Sequence, residues 1–219
     1  MSSDIILMAD PRVAAIPVHD NGEPLVDIRS GLAPLLVDAR RSDPDSAFAH
    51  LREHVRDQLL DTQQRLPAGL RLLVVEGYRP PHLQLEYFER YSRRLRELNP
   101  QWTEQAVRSA ASRYVSPPEI APHSAGAAVD LTLVDALGQE LDMGTAMNAN
   151  PEDSENACFT DATNISARAR ENRTILTTAM KNAEFVNYPT EWWHFSLGDR
   201  YWALMKKYAA AKYGPKDWI

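Results

Sequence analysis

Apolar residues recur every three or four positions across residues 46–66, at Phe48, Leu51, Val55 and Leu59 or Leu60. That spacing predicts an amphipathic helix closing near Pro67-Ala68-Gly69. Residues 71–76 form a short Leu- and Val-rich run, read as a buried strand. Gly77-Tyr78-Arg79-Pro80-Pro81 interrupts it and leads into a helix over 82–98, with Leu85, Phe88 and Leu95 turned inward. Thr103 is placed to cap a further helix reaching about Tyr114, and Ser116-Pro117-Pro118 stops it. Residues 127–134 alternate as a strand, with 139–143 as a hairpin partner across Ala136-Leu137-Gly138. The polar stretch 145–164 reads as a long loop, of the kind that lines functional sites. A helix over 166–183, an aromatic strand over 191–197 and a last helix over 201–212 complete the pattern.

The first forty residues, rich in Pro and Asp, predict extended segments and turns. Helices with a few hairpin-linked strands point to an α+β fold, a small and mainly antiparallel sheet flanked by helices. No repeat, glycine-rich phosphate loop or low-complexity linker divides the 219 residues, so one domain over 1–219 is expected.

Composition narrows the function classes. With 44% hydrophobic and 25% charged residues the chain is globular. Its formal charge of -6 opposes phosphate backbones, so nucleic acid is not an expected partner. The basic residues between Arg90 and Arg96 are interleaved with Tyr91, Leu95 and Glu97 and read as a solvated helix face. A lone cysteine, Cys158, makes no internal disulfide. The Ile5-Ile6-Leu7-Met8 run lacks the basic start and length of a secretory signal, and no stretch approaches a membrane span. A cytoplasmic setting without membrane contact is the expectation, and nothing in the pattern bears on oligomeric state.

Three candidate metal ligands stand out: His123, Asp130 and His194. A catalytic zinc takes three protein ligands of the His and Asp or Glu type and keeps a fourth position open. His123 and Asp130 are seven apart, so an unbroken strand would point them to opposite faces, and Gly126 offers the break that folds one back over the other. Glu191 and His194 have the same parity problem, which Pro189-Thr190 resolves if Glu191 lies on the entering loop. Singly, each residue also reads as structural: His194 as a packed histidine among Trp192, Trp193 and Phe195, Asp130 as an edge-strand carboxylate, Arg79 as the ion-pair partner of Glu76. Together, polar groups inside apolar strands ask for compensation, because a buried ionised carboxylate costs several kcal/mol without a partner.

The segments His123-Ser124-Ala125-Gly126-Ala127-Ala128-Val129-Asp130-Leu131, Leu141-Asp142-Met143-Gly144-Thr145 and Glu191-Trp192-Trp193-His194-Phe195 resemble the D-alanyl-D-alanine dipeptidases. Gly77-Tyr78-Arg79-Pro80 matches that family's upstream arginine motif, and the resemblance spans roughly residues 72–197. It implies one zinc ion per chain on His123, Asp130 and His194, Glu191 as catalytic base, and Arg79 as the cation that steadies the developing oxyanion. It places Glu76 behind Arg79 and Asp142 near the amino end of a small peptide substrate; Trp193, beside Trp192, is expected to wall the site. Ala121 and Pro122 stand where family members carry two substrate-facing serines, so the preference among D-amino-acid dipeptides is open. The competing readings are a D,D- or L,D-carboxypeptidase of cell-wall peptides and a non-catalytic zinc or peptide-binding module.

Overall fold

The computed structural model describes residues 5–31, 34–38, 40 and 45–218. In chain order its elements are α1 (Pro11–Ala14), β1 (Leu25–Asp27), β2 (Leu36–Val37), β3 (His50–Arg52), α2 (Glu53–Arg65), β4 (Arg71–Glu76), α3 (Pro81–Leu98), α4 (Glu104–Ala111), β5 (Ala128–Val134), α5 (Ala167–Asn182), β6 (Val186–Asn187), β7 (His194–Ser196) and α6 (Arg200–Lys206). Five strands form one sheet in the order β2-β4-β5-β7-β6, and β1 pairs with β3 alone. Only the β2–β4 pairing in the larger sheet is parallel, so the fold is α+β with a mainly antiparallel sheet.

The central strand β5 is buried along its whole length, which requires cover on both faces. Val129, Leu131 and Leu133 pack on one side into the main core with Val55 and Leu59 of α2 and Leu176 and Met180 of α5. Asp130 and Thr132 alternate to the other side. A smaller core, Tyr91 and Leu95 against Val107, Ala111 and Val115, holds α3 to α4 and builds the second wall of the site.

Several elements depart from their sequence expectation. Residues 46–66 are not one helix: Ala47–Ala49 is a single tight turn, β3 follows, and only Glu53–Arg65 is α-helical. Leu51 satisfies the helical spacing, but β1, distant in sequence, captures it as a strand residue. Leu85 is half exposed, because the buried stripe of α3 runs through Gln84, Tyr91, Ser92 and Leu95. The hairpin expected across 136–138 is reduced to one bridge, Val134 with Glu140. The strand expected over 191–197 begins only at His194, and α6 stops at Lys206, where Lys207 turns left-handed. Among the described residues no helix is long and apolar enough to cross a membrane.

Candidate active site

Glu76, Asp130 and His194 form a single rung across β4, β5 and β7. Side chains directly opposite in antiparallel strands project from the same face, so the ladder alone brings these three polar groups together. A regular ladder would set Val75 opposite Asp130, since Val74 pairs with Leu131. The register instead slips between Val74 and Glu76, a bulge that trades a valine for a carboxylate at the site.

His123 arrives from the other direction. It opens the tight turn His123–Ala125, which Gly126 closes at φ +65° before β5 begins. The left-handed backbone is what favours glycine at Gly126, since the nearest atom to an added Cβ is the mobile tip of Leu25, at 2.3 Å. The turn folds His123 back over Asp130, as the seven-residue spacing required. Gly77, after β4, is confined for a different reason: its Cβ would meet the His50 and Phe48 carbonyl oxygens at 2.6 and 2.9 Å.

The donor atoms His123 Nε2, His194 Nδ1 and Asp130 Oδ1 make a triangle with sides of 3.2, 3.0 and 3.3 Å, all three residues buried. His123 Nδ1 donates to the Gly77 carbonyl at 2.7 Å, which leaves a lone pair on Nε2 in the neutral ring. Burial pushes the Asp130 carboxyl up, but His123 and His194 outweigh burial and hold it well below the usual carboxylate range. One hydrogen on His194 Nδ1 can serve only one side of the triangle, so Asp130 and His123 Nε2 face each other as two acceptors. His194 Nε2, on the far side of that ring, is buried with no hydrogen-bond partner among the described residues. A cation resolves the convergence of lone pairs. Tetrahedral zinc with donors at about 2.0–2.1 Å has donor–donor edges of about 3.3 Å, so the three residues fit such an ion.

Glu191 lies in the turn ahead of β7, where its N–H donates to Tyr188 O and its own carbonyl accepts from the His194 N–H at 3.2 Å. The turn cancels the strand parity and leaves Glu191 Oε2 3.9 Å from His194 Nδ1. Burial raises the Glu191 pKa well above the ordinary value, Asp130 adds to that, and Arg79 opposes it. Arg79 is buried too, with Nε donating to Glu76 at 2.5 Å and Nη1 to Gln84 at 2.9 Å. Burial lowers its pKa while Asp130 and Glu191 work against the shift, and an arginine so placed remains a cation at neutral pH.

These groups open into a cavity of about 460 Å³ whose wall includes Arg79, His123, Asp130, Glu191 and His194. Two expected residues lie elsewhere. Asp142 is exposed, its carboxylate accepting from Gly144 N and Ser166 Oγ, which closes a loop turn away from the cavity. Trp193 is wholly buried in the main core, and neither it nor Trp192 belongs to the cavity wall. The cavity also has an α3 side, Tyr87, Arg90, Tyr91 and Arg94, in the stretch whose arginines pattern as a solvated face. The available signal was two Tyr/Arg pairs at helical spacing, a stripe on one side of α3. Gly77 was missed as the partner of His123, since a backbone carbonyl leaves no mark in sequence.

The family profile described as D-ala-D-ala dipeptidase matches residues 45–212. A D-alanyl-D-alanine dipeptidase of Synechocystis is 30% identical over 86% of this chain and 87% of its own. The protein of that name in Escherichia coli is 29% identical over 59% of this chain and 56% of its own, and the one in Enterococcus faecium 38% over 35% and 37%. Among solved structures, the LdcB LD-carboxypeptidase aligns at a TM-score of 0.46 and 17% identity, covering 86% of this chain and 76% of its own.

Proposed function

The chain belongs to the D-ala-D-ala dipeptidase family of metallopeptidases, and from that premise we propose that its cavity hydrolyses D-Ala-D-Ala or a related D-amino-acid dipeptide with one zinc ion held by His123, Asp130 and His194. The observation that carries this reading is the convergence of three buried donors whose lone pairs lack the protons to satisfy one another. When bound, such an ion supplies Lewis acidity, polarising a carbonyl and lowering the pKa of water toward about 7.

The chain's own residues supply the rest. Glu191, with its proton affinity raised by burial, takes a proton from the attacking water and returns it to the leaving amine. Arg79, fixed by Glu76 and Gln84, presents a positive charge to the oxygen that becomes negative as the carbonyl is attacked. Glu76 keeps that guanidinium from swinging to Glu191 or Asp130, the two other carboxylates that act on it.

The test is release of free amino acid from a panel of D,D, L,D and L,L dipeptides and longer peptides by zinc-loaded protein, with Glu191→Gln as control. D,D-dipeptides should be cleaved best, and the variant should keep its zinc while losing roughly 10²–10⁴-fold in kcat. A Glu191→Gln protein that turns over at the wild-type rate contradicts the assigned base. Preference for longer peptides would favour a carboxypeptidase instead.

A further inference from the structure

The carboxylates on the cavity wall, Asp130 and Glu191, both sit at the three-donor centre, whereas the α3 side carries Arg90 and Arg94. Arg94 is committed to Asp153 at 2.6 Å. Among the described residues, Arg90 has a 3.4 Å contact with Glu86, at the long limit of a hydrogen bond, and lies over the Tyr87 ring with its guanidinium carbon 4.8 Å from the centroid. Arg79 lies over the same ring at 5.0 Å. Tyr87 thus spaces two guanidinium groups, one beside the reacting centre and one at the outer wall, and their separation cannot exceed the sum of these two distances.

That limit bounds the span a ligand touching both cations must cover. One extended residue spans about 3.5 Å, and a hydrogen bond of about 3 Å at each end brings the total to about 10 Å. A carbonyl oxygen at Arg79 and a carboxylate one residue further along therefore reach both cations together. We infer that Arg90 is a specificity-determining residue that binds the free α-carboxylate of the residue leaving on hydrolysis, so that the enzyme takes peptides with one residue beyond the scissile bond and a charged C-terminus. The inference rests on the proposed peptide hydrolysis and adds to it the feature by which the substrate is selected. A carboxylate there gains a charge-assisted, planar two-point contact, which a C-terminal amide does not.

The experiment compares D-Ala-D-Ala with its C-terminal amide on zinc-loaded wild type, Arg90→Ala and Arg90→Lys. Arg90 is largely exposed, so the fold does not depend on it. Wild type should prefer the free acid. Arg90→Ala should raise its KM about 10–100-fold, change kcat little and abolish the preference over the amide, with Arg90→Lys restoring part of it. A calorimetric titration needing no turnover runs beside it: D-alanine should bind wild type more tightly than D-alaninamide, and Arg90→Ala should not distinguish them. Equal cleavage of acid and amide by wild type, or an undiminished preference in Arg90→Ala, overturns the inference while leaving dipeptide hydrolysis intact. If no dipeptide is cleaved the proposed reaction fails, and the calorimetric arm alone then decides whether Arg90 recognises a carboxylate.

Discussion

Gly77 shows how much of the site rests on a residue without a side chain. Its carbonyl fixes the tautomer of His123, and its α-carbon packs against two backbone oxygens that have no freedom to retreat. Gly77→Ala should therefore lower Tm by several degrees and cut zinc stoichiometry well below one, because the Gly77 carbonyl moves when Phe48 and His50 are pushed back. A variant with wild-type melting and full zinc content contradicts that account. The polar residues were legible for the opposite reason. Asp130 and His194 interrupt apolar runs, and buried polar groups in such runs need partners. Asp142 was misplaced because a local Asx-type turn satisfies it, and the segment around it reads the same whether the carboxylate faces a cavity or its own backbone.

At the level of elements, strongly patterned segments follow their sequence: β4 falls on the residues expected, and α5 lies within the helix expected over 166–183. What local pattern hides is capture by distant partners, as when β1 makes β3 out of a helical-looking segment, or when a bulge exchanges Val75 for Glu76 opposite Asp130. The long loop before α5 belongs to the same class. Arg173 of α5 is buried beneath it and donates to the carbonyls of Met143, Ala157 and Phe159 at 2.6–2.8 Å, with no carboxylate among these partners. Burial pushes its pKa down to about 10, still charged at neutral pH. Glu152 fastens the same loop to Tyr91 and Arg113, and so Asn148 and Asn150 are held at the cavity wall. Arg173→Ala should cost about 3 kcal/mol and raise KM more than it lowers kcat. Lysine, which lacks the planar fork, should recover only part of the loss in urea melts. Full recovery by lysine would mean that charge rather than geometry holds the loop.

Across the whole molecule, Arg52 ties chain segments far apart in sequence. Buried on β3, it donates to Ala125 O beside the His123 turn, to Glu23 O, to Gly214 O near the C-terminus and to the Asp20 carboxylate. Burial pushes the Asp20 carboxyl up, but the Gly214 and Gly22 N–H groups and Arg52 outweigh it and hold the pKa below the ordinary value. A carboxyl whose folded pKa lies below its unfolded one adds stability that is present above about pH 4 and lost as pH falls through the folded value. The Tm difference between wild type and Asp20→Asn should thus be steady from about pH 7 to 5 and close below about pH 4. A difference that persists unchanged at low pH would show that the carboxylate's charge is not what Arg52 uses.

The account stands or falls on the triangle of His123, Asp130 and His194, and a zinc titration of metal-stripped protein by calorimetry tests it most directly. Wild type should take up one equivalent and melt at a higher temperature once loaded, since a ligand bound only by the folded state stabilises it. His123→Ala and Asp130→Asn should each lose that tight equivalent while Glu191→Gln retains it. Wild type without a stoichiometric site, or ligand variants that bind zinc as tightly as wild type, would contradict the account.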